Sequence, residues 1–286
     1  MRFEKYFQPT SIEECVSLLK EYGTDAKMLA GGTDLVPRLK NKVIRPKAVI
    51  GLFSIPNIDK IALTEAGIMI GSMVQLRHLQ KAEELGDRYV VIKEAAGHVS
   101  SMQVRNIATI GGNACNASPS ADAVQGLMVM DAVCKIDGVN GKRDVAIANF
   151  FIGPGKTVLE NGEILTGFFI PAPKPRTGTA YEKFAIRGDT DISIVGAGCS
   201  LTLCEDGTVT DARISLASVA PKPIRATEAE NFLIGKKITE TIAREAGKLA
   251  ASNCKPISDQ RASKEYRVEM VKVWVKNAIL EAKVRI

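Results

Sequence analysis

Leu29-Ala30-Gly31-Gly32-Thr33-Asp34 and Thr109-Ile110-Gly111-Gly112-Asn113 are the two stretches on which the reading of this chain turns. Each follows an apolar run, and each carries a glycine pair with small polar neighbours. Without Cβ atoms, successive amides can curl into one concavity, and such a nest of N–H donors suits the oxygens of a phosphate or diphosphate. A lone Gly-Gly is ordinarily a tight turn. Here there are two, and the second runs on through Asn113-Ala114-Cys115-Asn116-Ala117-Ser118-Pro119-Ser120-Ala121-Asp122. Together they predict an extended polar ligand held at two places, for which a dinucleotide is the natural candidate.

The flanking pattern is that of an α/β unit. Thr10-Ser11-Ile12-Glu13-Glu14 reads as a capped helix start, and Gly23 as its stop. Residues 26–30 and 48–52 then read as short strands, the first delivering the first glycine loop. Ile61-Ala62-Leu63 and Ile68-Met69-Ile70 flank a turn as a hairpin would, and helical spacing follows over 75–82 and 89–96. Past the second loop, Pro119 stands where a helix can start, with Asp122 in its first turn. The proline-rich spacer 171–176 marks a boundary. Beyond it, 192–204 and 209–219 alternate around Glu205-Asp206-Gly207-Thr208 as a hairpin, and helices finish the chain, the longest from Ser263 to Leu280 with Trp274 as a core anchor.

Bulk properties exclude several classes. The 286 residues allow two or three domains, and 45% apolar content supports an ordinary core. The excess of 38 Lys and Arg over 32 Asp and Glu is scattered, which predicts a solvated surface and no nucleic-acid partner. No signal-like or membrane-length apolar run is visible, so a cytoplasmic protein without membrane contact is expected. The six cysteines show no C-x-x-C spacing and the chain has two histidines, so no metal site is expected. Cys199 and Cys204, read as sharing a strand, point to opposite faces.

Three motifs are decoys. Gly153-Pro154-Gly155-Lys156-Thr157 ends like a P-loop, but Phe150 stands where that motif needs its first glycine. Gly196-Ala197-Gly198 lacks the third glycine of a Rossmann fingerprint and lies inside a predicted strand. Asp189 and Asp191 read more simply as a turn than as an acid–base pair. Among candidate ligand contacts, Asp34 and Asp122 can accept from sugar or ribityl hydroxyls, with Ser118 and Asn113 as neutral partners. Asp122 reads equally well as a charge stabilised by a helix N-terminus. Lys183 can offer a cation to a phosphate or an electron-rich ring, although solvent exposure is the simpler reading of a lone lysine.

AGGTDL (30–35), TIGGNACNASPSAD (109–122), EILTGFFIP (163–171) and KFAIRGDTDIS (183–193), taken in order, resemble the FAD-binding medium subunit of the molybdenum hydroxylases. That family includes xanthine dehydrogenases, carbon monoxide dehydrogenases and hydroxylases of aromatic heterocycles. The likeness spans nearly the whole chain. It implies an α+β protein with a two-part FAD-binding domain of the vanillyl-alcohol-oxidase (PCMH) type, at 1–56 and 57–174. A C-terminal α+β domain of the CO dehydrogenase flavoprotein type, at 175–286, would follow. It also assigns Met28, Leu29, Ala30, Gly31, Gly32, Thr33, Asp34 and Leu35 to the FAD diphosphate. Thr109, Ile110, Gly111, Gly112 and Asn113 become the second phosphate and ribityl contact, with Ser118 beside them and Asp122 on a hydroxyl. Val99 falls near the adenine half, Leu165 offers its backbone, Lys183 stands near the isoalloxazine edge and Ile192 covers one flavin face. Val99 and Ile192 are aliphatic where some relatives are aromatic, which implies weaker stacking and a shifted flavin potential.

The resemblance further implies an oxidoreductase subunit with no acid–base residue of its own. Electrons would come from 2Fe-2S clusters on a small partner subunit, after substrate oxidation on a molybdopterin-bearing large subunit, and pass to an acceptor such as NAD. Some relatives insert a cysteine-bound iron–sulfur cluster in this subunit; the cysteine spacing here argues against one, and no local His or Cys motif suits covalent flavin attachment. Two other readings use the same loops. A stand-alone flavin oxidase or reductase needs convergent titratable groups at the flavin face, where only Lys183 and Arg187 are on offer. A non-redox nucleotide-binding module would be colourless.

Overall fold

A computed structural model describes residues 3–188 and 190–286, so Asp189 of the Asp189/Asp191 pair lies outside the described residues. The chain opens with β1 (Lys5–Phe7), α1 (Ile12–Tyr22), β2 (Ala26–Leu29), α2 (Leu35–Lys40) and β3 (Ala48–Gly51). Ser11 caps α1 by accepting from the Glu14 amide, while the Glu14 carboxylate accepts from the Thr10 amide at 2.7 Å. The strands form a parallel sheet in the order β1-β3-β2, with Lys5 and Ala26 both opposite Ala48. The C-terminal end of β2 therefore runs straight into the first glycine pair, at the edge where parallel sheets receive ligands.

The second unit contains β4 (Ile61–Thr64), β5 (Gly67–Gly71), α3 (Leu76–Lys81), α4 (Val90–Gly97), α5 (Met102–Arg105), α6 (Ile110–Asn116) and α7 (Asp122–Val129). It continues with β6 (Val133–Gly138), β7 (Gly141–Ala146), α8 (Ile147–Phe150), β8 (Phe151–Gly153), β9 (Lys156–Thr157) and β10 (Glu163–Pro171). Its antiparallel sheet runs β4-β5-β10-β6-β7, and an irregularity between Leu165 and Gly167 bends β10 where it nears the site. The P-loop decoy is the β8–β9 hairpin, with Gly155 at φ 68° in its turn.

The third unit is a sheet of β11 (Thr177–Phe184), β12 (Val195–Leu203), β13 (Val209–Ala217) and β14 (Ile224–Arg225), followed by α9 (Thr227–Leu233), α10 (Glu240–Ser252) and α11 (Lys264–Val284). Gly196 and Gly198 lie within β12, every residue of which is buried. One face of the sheet packs on α9 and α11, with α10 laid against those two helices, and its other face meets α7. A helix covered on both sides is apolar on most of its surface, and α7 is buried along its whole length, Asp122 and Gln125 being its polar side chains. Trp274 stacks on Phe184 at 5.3 Å, both partly buried against the core of this unit. Cys199 is buried on β12, but Cys204 falls just past the strand in the following turn, so the two do not share a strand. Among the described residues no helix is long and apolar enough to cross a membrane.

Candidate functional site

The two glycine stretches meet across a cleft of about 530 Å³ between the first and second units. Its wall carries Met28, Ala30, Gly31, Gly32, Thr33, Asp34 and Leu35 from the first stretch, and Thr109, Gly111, Gly112, Asn113 and Ser118 from the second. Val99, Leu165 and Ile192 join them from three further segments. Ile192 is 47% exposed, an aliphatic side chain left at the rim.

The glycines of each pair have different work. A Cβ on Gly31 would lie 2.1 Å from the Ile107 carbonyl oxygen, and one on Gly111 2.5 Å from Cβ of Ser72. These two permit close backbone approach, Gly31 against the segment that leads into α6. Gly32 has φ 74°, a left-handed conformation that few side chains adopt, and it turns the chain from β2 into α2. A Cβ on Gly112 would face Oγ1 of Thr109 at 2.9 Å and the Ala30 side chain at 3.8 Å, across from the first stretch.

The second stretch is not a loop of bare amides. It is the first turn of α6, with Thr109 as N-cap. The Ile110 amide donates to the Val74 carbonyl, Gly111 to the Ser72 carbonyl, Gly112 to Oγ1 of Thr109 and Asn113 to the Thr109 carbonyl, all within 3.0 Å. A capping threonine and a neighbouring strand end have consumed the donors that the glycine pair seemed to offer. In the first stretch, by contrast, the amides of Gly31, Gly32, Thr33, Asp34 and Leu35 find no protein acceptor among the described residues. The donor nest belongs to one stretch alone.

Sequence reasoning missed several wall residues. Leu52, Met73, Val104 and Ile164 add apolar surface, and Ser72, Asn116 and Ser120 add polar groups. Asn116 and Ser120 were inside the quoted motif; Ser72 could be found only from the pairing of strand ends. Nδ2 of Asn116 donates to Oδ1 of Asp34 at 3.2 Å and ties the two stretches together. Burial pushes the Asp34 carboxyl up, an effect that Arg38 partly offsets. Two buried atoms at the cleft, Oγ of Ser72 and Oδ1 of Asn113, have no partner among the described residues. Such polar atoms on a cleft call for a partner, which ligand hydroxyls or amides can supply. The donor nest suits a diphosphate, the orphaned atoms suit a polyol chain, and the aliphatic wall suits a flat ring system.

The family models agree with this geometry. Residues 1–173 match the FAD binding domain in molybdopterin dehydrogenase, and 179–282 match the CO dehydrogenase flavoprotein C-terminal domain. The chain belongs to the FAD-binding subunits of the molybdenum hydroxylases. Its cofactor class is FAD and its reaction class is oxidoreduction. The carbon monoxide dehydrogenase medium chain of Hydrogenophaga pseudoflava is 34% identical over 97% of this chain and 96% of its own. A xanthine dehydrogenase FAD-binding subunit of Escherichia coli is 32% identical over 98% of this chain and 96% of its own. A solved carbon monoxide dehydrogenase from Hydrogenophaga pseudoflava, lacking the Mo-pyranopterin moiety of its molybdenum cofactor, superposes with a TM-score of 0.95 over 100% of this chain and 98% of that one, at 34% identity. Quinoline 2-oxidoreductase from Pseudomonas putida 86 gives 0.91 at 28% identity, covering 99% of both chains.

In this flavoprotein subunit four of the residues singled out from sequence stand off the cleft wall. The Leu29 side chain packs beneath Gly32, and Ile110 is wholly buried in the core of the second unit. Asp122 and Lys183 form an ion pair at 3.0 Å with side-chain exposures of 7% and 1%. Oδ1 of Asp122 also accepts from the Tyr181 hydroxyl at 2.6 Å and from the Ser193 hydroxyl, while Nζ of Lys183 donates to the His98 carbonyl at 2.7 Å. Asp122 does stand in the first turn of α7, as the helix-charge reading expects, but it also carries these partners; the solvated reading of Lys183 does not hold for a side chain so fully buried. The carboxylate is a junction that binds α7 to β11 and to the residue next to Ile192. Burial first, and then the Asp122 charge, pushes the Tyr181 phenol well above its ordinary range, so it remains a donor. Among the described residues no group of three or more His, Cys, Asp or Glu can hold a metal ion.

Proposed function

We propose that this chain is the flavin-carrying subunit of a three-component molybdenum hydroxylase. Substrate is oxidised at a molybdopterin centre on a large partner subunit, and 2Fe-2S clusters on a small one deliver the electrons. The FAD held here passes them to an acceptor such as NAD. The observation that supports this best is the cleft itself, where an unpaired run of amides, two orphaned polar atoms and an aliphatic wall meet in a chain alike from end to end to such subunits. The cofactor supplies the redox chemistry, and the protein supplies position and electrostatics.

Each part of the chain has its task in this reading. Gly31, Gly32, Thr33, Asp34 and Leu35 hold the diphosphate through main-chain amides. Ser72, Asn113 and Ser118 take the ribityl hydroxyls, Val99 and Leu165 line the ring path, and Ile192 covers one flavin face and limits water there. Asp122 and Lys183 act as positioning residues, fixing Ser193 and with it the neighbouring Ile192. The free cysteines are small thiols; burial pushes Cys115 up to about 12, which keeps it inert beside the cleft. We place the assembly in the cytoplasm, where such thiols stay reduced.

Purified protein should be yellow, with stoichiometric FAD released on denaturation. Co-purified partners should carry molybdenum and iron, and the flavin should be reduced when the assembly meets its substrate. A colourless preparation that cannot be reconstituted with FAD would overturn the reading. Turnover of a small substrate by the isolated chain would favour a self-sufficient oxidase.

A further inference from the structure

The charges around the cleft are few and unevenly placed. Among the described residues its wall carries Lys27, Asp34 and Arg38 as the groups with formal charge. Lys183 stands behind the wall, its charge matched by Asp122. Neither Arg38 nor Lys27 lies within 4.0 Å of a described carboxylate oxygen; Arg38, one helical turn after Asp34 on α2, feels that carboxylate from further off. Both cations flank the first glycine stretch, Lys27 on β2 before it and Arg38 on α2 after it. The second stretch has no wall cation, and the amides of Ile110, Gly111, Gly112 and Asn113 are taken within the protein.

A diphosphate carries negative charge on both phosphates, and amide dipoles neutralise that charge only in part. Asp34 adds to the deficit. We propose that Arg38, assisted by Lys27, is the counter-cation of the cofactor's diphosphate and fixes the end of the cleft that the diphosphate occupies. A guanidinium presents two parallel donors to two phosphate oxygens, a geometry that an ammonium cannot copy. This inference rests on the flavin reading above and adds a contact from outside the glycine motifs.

The test is a fluorescence titration of the flavin-stripped chain with FAD and with riboflavin, which lacks phosphate, at low and high salt. Arg38→Gln should weaken FAD about tenfold or more and flatten the salt dependence of its binding, with riboflavin unaffected. Lys27→Gln should do the same to a smaller extent, and Arg38→Lys should restore part of the loss. Lys40→Gln removes a charge from α2 that does not border the cleft and should match the parent. The proposal is overturned if Arg38→Gln binds FAD with the parent's affinity and salt dependence. It is equally overturned if riboflavin weakens in step with FAD, or if Lys40→Gln is as harmful as Arg38→Gln. A parent chain that takes up no FAD at all would remove the flavin reading first, a result distinct from any of these.

Discussion

Gly31 and Gly112 look interchangeable in the sequence and are opposites in the fold. A methyl group on Gly31 would run into the Ile107 main chain, which has no rotamer with which to yield. Gly31→Ala should therefore destabilise the protein by about 1–3 kcal/mol through overpacking and release FAD as the stretches part. At Gly112 the nearest obstacle is the Thr109 hydroxyl, a side-chain atom at 2.9 Å that needs to give by only a few tenths of an ångström. Gly112→Ala should leave the melting temperature much closer to the parent while still lowering flavin content, because its methyl faces the cleft. Thermal melts and extracted flavin read both; equal losses in both variants would contradict the division. Glu163 offers a test in pH. Its carboxylate takes a two-pronged bond from Arg143 at 2.6 and 2.7 Å, which holds it below the ordinary glutamate range. A lowered folded value means stability that is present above the unfolded value of about 4.3 and is lost as pH falls through the folded one. Glu163→Gln should thus be less stable than the parent by about 1–3 kcal/mol near neutrality, with the gap closing in acid. A constant gap from neutral to acid pH would count against the ion pair. Glycine's freedom was visible from sequence at both pairs, but which glycine served backbone contact was not, since Ile107 and Ser72 are brought up by tertiary packing.

At the scale of elements, α6 shows how a correct motif can carry the wrong mechanism. The pattern Thr-Ile-Gly-Gly-Asn reads as an open phosphate loop, yet threonine three residues before a glycine amide is also an N-cap signal. Two competing uses of the same N–H groups cannot both be realised, and the cap prevailed because Val74 and Ser72 bring carbonyls to the remaining donors. Thr109→Ala should lower stability by about 1 kcal/mol and weaken FAD binding, since Gly112 and Asn113 lie on the cleft wall. Thr239→Ala removes the equivalent cap from α10, far from the cleft, and should give a similar loss of stability with no change in flavin. Matching flavin losses would show that α6 holds no special place at the site. The first helix and its cap, the β4–β5 hairpin and the long terminal helix were legible because their signals are local. The full burial of α7 was not, because its second face is covered by β12 and β13, far along the chain.

Polar bonds cross the last boundary of the molecule beside its cores. Asp122 grips Tyr181, Lys183 and Ser193, Asp131 pairs with both Arg213 and Arg225, and Arg285 at the end of α11 reaches Glu94 on α4. Removing one member of a buried pair leaves the other charge stranded, at about 3–5 kcal/mol. Lys183→Met should therefore lower the melting temperature markedly and split or broaden the transition as the third unit loosens. Arg285→Gln, at a more exposed tie, should produce a small shift. Calorimetry would reveal the difference, and a sharp, unshifted melt for Lys183→Met would refute the view of Asp122 as a junction. None of these ties was legible beforehand, because residues such as Asp122 and Lys183 meet only after the second and third units dock. The motif string around each was legible, which is why both were singled out, though for direct contact with a ligand.

The seam where Gly31 lies against Ile107 is peptide on peptide, and atoms of the main chain cannot be exchanged by mutation. The two banks of the cleft therefore stand at an interval gauged by covalent geometry, whatever side chains line the channel. Side chains such as Val99 and Ile192, which hang on those banks, can change the lining of the channel and leave its bore as it is.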